Sequence, residues 1–148
     1  MKMVFQSKID RSFLLIIAAA ILLIGGVTWM PIWLDEESTV ISTCVMFAIF
    51  SISAGFILWV SFSIRYTFQQ NRLLLKAGPF RSRIPYGEIT KITPTKDVWT
   101  GYRMLSSKDS YELFYQSAIF GSVKISPKEP ERFLSELEKR CPNLTIQN

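Results

Sequence analysis

Two long stretches near the start of the chain, residues 12–34 and 38–64, contain no Asp, Glu, Lys or Arg. Each is long enough to cross a hydrocarbon core about 30 Å thick, which takes roughly 20 apolar residues in a helix. The pattern therefore predicts two transmembrane helices. A basic start also makes the first run compatible with a signal peptide, but no A-x-A cleavage site follows and a second apolar run comes at once, which favours a span.

The acids Asp35, Glu36 and Glu37 separate the two runs. Because the link is only a few residues long, the helices must form an antiparallel hairpin. Lys and Arg lie at the other ends of both runs, and basic residues beside spans stay cytoplasmic. The sequence thus predicts a multi-pass membrane protein with both termini inside and a solvated acidic tip outside. Contact with an external cation or cationic peptide is the alternative use of this tip.

Small residues also recur in the apolar runs. Ser51 and Gly55 form a small-xxx-small pair, which lets helix backbones approach closely. We expect this pair to pack the hairpin on itself, with oligomerisation as the alternative.

The remainder of the chain has a different composition. Residues 65–148 hold 14 Lys/Arg and eight Asp/Glu, a net charge of +6. Turn residues divide this part into short alternating runs, and a period of two is typical of half-buried strands. We expect five to seven short strands, with Tyr111, Leu113 and Tyr115 on one face, and Ile119, Gly121, Val123 and Ile125 on another. The predicted division is a membrane hairpin over residues 1–64 and a cytoplasmic domain over residues 65–148.

One amphipathic helix is predicted near the end of the chain. Ser126 fits an N-cap, Pro127 the first helical position and Glu129 the third, which together form a capping box. Phe133, Leu134, Leu137 and Cys141 then share one stripe. The expected fold is an α+β membrane protein, in which a transmembrane hairpin precedes a pleckstrin-homology-like (PH-like) antiparallel half-barrel closed by this helix.

The chemistry-bearing residues are few. The chain has no histidine and two cysteines, Cys44 and Cys141, which we expect to be free. Missing histidine excludes Ser-His and Cys-His catalysis and removes the commonest metal ligand. We expect no catalytic residues, metal, cofactor or small-molecule substrate. Nucleic-acid binding is also not expected, because the basic charge beside a membrane has a simpler cause and the aromatics fall on core faces.

Several segments resemble a known family. "FQSKID", "LLLKAGPFRSRIPYGEITKITPT", "LSSKDSYELFY" and "VKISPKEPERFL" occur in this order. They resemble the YyaB-like bacterial PH-domain membrane proteins, the family that includes the sublancin immunity protein of bacilli. The motif residues are Ser7, Lys8, Asp10, Gly78, Leu105, Ser106, Ser107, Ser126 and Pro127. The resemblance implies a PH-like domain at the bacterial cell membrane without enzyme activity. Lys108 stands where the resemblance leads us to expect an arginine.

Two functions are compatible with these features. The first is immunity, in which the protein protects its producer against a bacteriocin or other peptide antibiotic by masking a membrane target. The second is an adaptor or regulatory module at the membrane surface, which holds a partner or reads lipid charge. Five cations in the stretch that leaves the bilayer would face an anionic leaflet: Arg65, Arg72, Lys76, Arg81 and Arg83. They also satisfy the general cytoplasmic excess of basic residues, which is the simpler interpretation.

Overall fold

The chain begins with a short strand and a helical hairpin. The structure, a computed structural model, describes residues 2–147. Strand β1 is Met3–Gln6, helix α1 is Arg11–Leu34 and helix α2 is Val40–Phe62. Both helices are long and apolar enough to cross a membrane, and neither has its most apolar window buried inside the fold. The two predicted apolar helices are therefore present, joined by a turn that holds the three acids.

The hairpin packs through residues other than the expected pair. The ring of Trp29 lies 6.3 Å from that of Phe47. A Cβ on Gly25 would lie 3.3 Å from Phe50, so the glycine gives this ring its space. A Cβ on Gly55 would meet nothing within 4 Å, and Ser51 is exposed. The prediction that Ser51 and Gly55 pack the hairpin is wrong, because they lie on the outer face of α2.

Four strands form the first sheet. β2 is Arg65–Phe68, β3 is Arg72–Ala77 and β4 is Phe80–Pro85. The order is β1-β2-β3-β4, and every pair is antiparallel. A 3-10 turn at Tyr86–Glu88 leads onward.

The second sheet contains the other five strands. β5 is Ile89–Thr95, β6 is Tyr102–Met104, β7 is Ser110–Tyr115, β8 is Ser122–Ile125 and β9 is Thr145–Ile146. Their order is β6-β8-β7-β5-β9. The β6–β8 and β5–β9 pairs are parallel, so the expected antiparallel sheet has two exceptions. Eight strands follow residue 64 within the described chain, more than predicted.

The inner strand faces match the sequence pattern only in part. Leu113, Val123 and Ile125 are fully buried. Ile119 is 93% exposed and, with Gly121, precedes β8, because the turn after β7 continues to Gly121. The predicted strand face that included Ile119 and Gly121 is therefore shorter than expected.

Helix α3, Pro130–Arg140, covers the core as predicted. Phe133 and Leu137 are fully buried and Cys141 is nearly so. The Phe133 ring lies 5.1 Å from the Phe68 ring and 5.5 Å from that of Phe5. Burying such a side chain contributes about 1.5–3 kcal/mol. Helix α3 is thus packed against β1 and β2 of the first sheet.

The N-terminal strand changes the predicted division of the chain. β1 pairs with β2 in register Phe5↔Tyr66, and Phe5 enters the core. The predicted boundary at residue 64 groups β1 with the hairpin. In the structure β1 instead belongs to the domain formed by residues 65–147. The hairpin is therefore an insertion between two neighbouring strands of one sheet. Both of its ends are fixed to the same sheet.

Candidate membrane-facing site

Three cations form a row across the first sheet. Arg65 on β2 lies opposite Lys76 on β3, which lies opposite Arg81 on β4. Neighbouring strands are about 4.8 Å apart, and directly opposed residues point to the same face. The alternate residues Tyr66 and Leu75 are buried, so this basic row points outward. It begins three residues after the end of α2.

The other two predicted cations lie on the same outer face. Arg83 is opposite Leu74, and Arg72 is opposite Pro85. Among residues 2–147, the side chain of Arg72 bonds only to that of Gln69. Across residues 2–147, none of the five cations has a carboxylate within 4.0 Å. Like charges directly opposite each other destabilise a sheet, so the basic row lowers the stability of the isolated domain.

The motif residues of the sequence gather where the hairpin joins the sheets. Ser7 Oγ lies 2.7 Å from Ser106 Oγ and 2.9 Å from Ser126 Oγ. The Tyr66 hydroxyl donates to the Met104 carbonyl and accepts from the Ser126 N–H. Burial raises the pKa of Tyr66, so this hydroxyl keeps its proton. We call Ser7, Tyr66, Ser106 and Ser126 the serine cluster.

The serine cluster ties three distant segments together. The Ser106 N–H donates to Ser126 Oγ at 3.0 Å, and Ser106 Oγ donates to the Lys8 carbonyl at 2.7 Å. The Lys8 N–H donates to the Ser126 carbonyl, and Ser7 forms a bridge to Pro127. Because its hydroxyls are buried and already bonded to one another, the cluster holds the junction and offers no free nucleophile.

Asp10 connects this junction to α1. Its side chain caps the helix by accepting from the Phe13 N–H at 2.8 Å, and its second oxygen accepts from the Lys108 N–H at 2.7 Å. Burial opposes ionisation, but these N–H groups and the hydroxyl of Ser107 outweigh it and hold the pKa of Asp10 below its usual value. An N-cap of this kind satisfies helix donors that otherwise have no partner.

Lys8 adds an ion pair to the same place. Its ammonium lies 2.6 Å from Asp109, and this hydrogen bond raises the pKa of Lys8. Both side chains are largely exposed, so the pair adds little stability.

Gly78 connects the first sheet to α2. Its φ is +56°, where side chains with a Cβ are strained. A Cβ there would lie 3.0 Å from Val60 Cγ2 and 3.2 Å from Val60 Cα. The β3–β4 turn therefore contacts the last turns of α2 only because residue 78 is glycine.

The predicted capping box is wrong. Helix α3 begins at Pro130 with Glu129 at the N-cap position, and no side chain caps it. Ser126 Oγ is unavailable because it accepts from Ser106 in the serine cluster. Pro127 bridges to Ser7 instead of starting the helix. Helix α3 starts later than predicted because the Ser126 hydroxyl, which would cap it, is bonded to Ser7 and Ser106.

The acidic tip is an exposed turn. The Asp35 side chain accepts from the Glu37 N–H at 3.1 Å, and its own N–H donates to the Pro31 carbonyl. Glu36 is exposed beside them. No cation in the described chain pairs with these acids.

Two features of the site were missed by sequence reasoning. The aromatic Tyr66 looks like an ordinary core residue in the pattern, but its hydroxyl organises the serine cluster. Lys124 alternates with Val123 and Ile125, yet its side chain is only 4% exposed and bonds to Asp97 at 3.0 Å. This pair fixes the β5–β6 loop that carries Trp99.

A bacterial PH domain family model matches residues 64–141, which is more than half of the chain. The chain belongs to the bacterial PH domain family. It is 31% identical over 144 residues to the uncharacterized protein YyaB of Bacillus subtilis (strain 168). This alignment covers 97% of each of the two chains. No solved structure matches.

The expected family is thereby confirmed. The family match of this bacterial PH domain starts at Ile64 and omits β1, which the fold adds to the first sheet. The free state expected of the two cysteines is also confirmed: Cys141 is buried, which raises its pKa to about 11, and Cys44 is exposed on α2.

Proposed function

We propose that the protein is a membrane-anchored binding module whose PH-like domain rests against the inner leaflet of a bacterial cell membrane. In this arrangement α1 and α2 span the bilayer, both termini are cytoplasmic and the acidic tip is outside. The observation that carries the proposal is the unpaired basic row Arg65–Lys76–Arg81, which starts directly after α2.

The apolar surface of the hairpin supports the membrane placement. Leu15 is 70% exposed, Leu22 76% and Trp33 85%, all on one helix. Contiguous apolar surface of this extent is a liability in water and marks a membrane or partner surface. Lys and Arg stand at the sheet end of the hairpin and acids at its tip, which is the asymmetry of a cytoplasmic sheet.

Electrostatics gives the basic row a role. Near an anionic leaflet each Lys or Arg contributes about 1 kcal/mol, and the effect fades within a Debye length. A row of cations held on a rigid sheet can act together on several headgroups. The repulsion that opposes this row in isolation is relieved by the anionic surface.

A binding role agrees with the chemistry present. PH domains are generally binding modules, and the chain has no histidine. The hydroxyls of the serine cluster are already engaged in hydrogen bonds within the cluster. We therefore propose that the module binds lipid and protein surfaces and does not catalyse a reaction.

The test uses the full chain in nanodiscs with a nitroxide label at Thr67, which lies on the outer face of β2 beside the basic row. We expect the label to lie closer to the bilayer with phosphatidylglycerol than with phosphatidylcholine alone. Changing Arg65, Lys76 and Arg81 to Gln should abolish the difference. The matched control changes three cations on or near α3 to Gln: Lys128, Arg132 and Lys139. An equal label depth in both lipids for the parent chain would overturn the proposal.

Immunity is a second candidate, favoured by the resemblance to the family of the sublancin immunity protein. The acidic tip is a short turn, which offers a peptide no concave surface. Protection would therefore act by masking a membrane target through the spans or the inner domain. We expect a gene deletion to lower the minimal inhibitory concentration of peptides made by the same strain. Unchanged sensitivity to all of them would exclude immunity.

A further inference from the structure

A cavity of about 180 Å³ lies between the first turns of α1 and the β5–β6 loop. Phe13 and Ile16 form the α1 side, and Val98 and Trp99 form the loop side. Leu105 adds to the lining from the turn after β6. Its wall is therefore made largely of apolar side chains, and one side of it is a helix that can cross a membrane.

The loop that forms this cavity is held in place. The Asp97 carboxylate accepts from the N–H of Trp99 at 3.0 Å and from the Lys124 ammonium at 3.0 Å. The Lys124 ammonium also bonds to the hydroxyl of Thr100 at 3.1 Å. Trp99 nevertheless remains 67% exposed. The backbone of Trp99 is thus held near the start of α1, and its indole ring is exposed beside that helix, as is typical of tryptophans at the headgroup level.

Two cations, Lys108 and Arg103, and one carboxylate, that of Asp10, line the cavity. Within residues 2–147 neither cation has a carboxylate within 4.0 Å. The N–H groups of Phe13 and Lys108 bond to both oxygens of Asp10 and hold its pKa down, so this carboxylate keeps its charge and the three charged groups of the lining sum to +1. The guanidinium of Arg103 bonds to the Val98 carbonyl and so stays close to the apolar wall.

We propose that this cavity binds one anionic phospholipid of the inner leaflet. A segment of its acyl chain lies against Phe13, Ile16 and Trp99, and its phosphate lies between Lys108 and Arg103. The volume supports partial entry, because sites that enclose a whole small molecule have about 300–1,000 Å³. Lipid is the favoured occupant because the cavity wall is continuous with the helix that enters the membrane, and its cations complement a phosphate.

The inference rests on the proposed membrane placement of α1, and goes beyond the basic row, which lies on the other sheet. The row acts on the leaflet as a surface, whereas the cavity selects a single lipid molecule. The two can therefore be tested separately on the same chain.

The test uses Trp99 as reporter in nanodiscs. Trp29, Trp33 and Trp59 are changed to Phe, so that Trp99 is the one tryptophan left, and it is excited selectively over tyrosine. At equal bromine content, acyl-brominated phosphatidylglycerol should quench Trp99 at least twofold more strongly than acyl-brominated phosphatidylcholine. Changing Lys108 and Arg103 to Gln should remove this preference. Changing Lys128 and Arg132 to Gln, away from the cavity, should leave it intact.

The outcomes separate the two proposals. Equal quenching by both lipids would show an interfacial tryptophan without a phosphate site and overturn the inference. Absence of quenching by either lipid would show that no acyl chain reaches Trp99. This outcome would point to a protein segment as the occupant and would also overturn the inference. In both cases the Thr67 label still tests, independently, whether the basic row approaches an anionic bilayer. Should the triple Phe variant misfold, native mass spectrometry of the parent chain replaces it: one retained phosphatidylglycerol is expected, and equal retention of phosphatidylcholine overturns the inference.

Discussion

The hydroxyl oxygens of Ser7 and Ser106 lie 2.7 Å apart, although 99 positions separate them in the chain. The first residue follows β1 and the second belongs to the turn after β6. Ser126 completes the contact from the end of β8. The place where the hairpin leaves the first sheet is thus fixed to the second sheet by buried hydrogen bonds.

Removal of the Ser126 hydroxyl should destabilise this junction. In Ser126→Ala the buried Ser106 N–H loses its acceptor, and an unsatisfied buried donor costs about 1–3 kcal/mol. We expect a lower denaturation midpoint for the full chain in detergent micelles. Ser135→Ala, exposed on α3, should change the free energy of unfolding by less than about 0.5 kcal/mol. Faster amide exchange confined to the first turn of α3 would instead indicate a capping role for Ser126.

Gly78→Ala should separate the β3–β4 turn from α2. A non-glycine residue at this φ is strained by about 1–3 kcal/mol, and its Cβ also meets Val60. Gly87→Ala is the matched control, since its Cβ would meet nothing within 4 Å and its φ is not positive. Adding Val60→Ala to Gly78→Ala should recover only the part of the lost stability that comes from the contact between the new Cβ and Val60. Thermal midpoints of the four chains in micelles measure this, and full recovery would show that backbone strain is unimportant.

The β5–β6 loop should loosen in acid. Hydrogen bonds from Thr100 and then Lys124 hold the pKa of Asp97 well below its usual range, so folding favours the charged carboxylate. The stabilisation that this charge provides is complete above the unfolded pKa and is lost as the pH falls through the lower folded pKa. We expect Trp99, in the single-tryptophan chain, to change its emission only below about pH 4. Asp97→Asn should lack this transition, and an unchanged acid profile in that variant would assign it to another group.

The proposed topology predicts different labelling of two introduced cysteines. In a Cys44→Ser background, Ser38→Cys at the tip should react with an impermeant maleimide on intact cells. Ser135→Cys, exposed on α3, should react only after lysis. Cys141 is a poor reporter of the inner side, because burial and its pKa of about 11 protect it regardless of topology. Labelling of Ser135→Cys without lysis would reverse the orientation.

The acidic tip should be dispensable for immunity by masking. Replacing Asp35, Glu36 and Glu37 with Ser leaves orientation intact, because acids count little in the positive-inside rule. We expect the variant to protect cells as well as the parent at matched membrane levels, measured as the minimal inhibitory concentration of the peptide. A large loss of protection that added salt also produces in the parent would move the working site to the tip, since exposed charges are screened within about 10 Å at 0.1 M salt.

The features that depend on local periodicity could be predicted from the order of the residues. Uncharged runs of sufficient length predicted α1 and α2, and a stripe at helical spacing predicted Phe133, Leu137 and Cys141 on the buried face of α3. Alternation predicted the buried Leu113, Val123 and Ile125. These features are readable because burial of a helix or strand face repeats at the period of the element itself.

Which distant residues meet became clear only from the folded chain. The row Arg65–Lys76–Arg81 depends on the register of three strands, and the serine cluster depends on the pairing of β1 with β2. Ser126 illustrates the limit of prediction from local sequence, because the residues around it match the pattern of a helix N-cap. A hydroxyl has few bonding positions, and in the folded chain Ser7 and Ser106 occupy those of Ser126. A local pattern cannot predict this, because the competing partners come from opposite ends of the sequence.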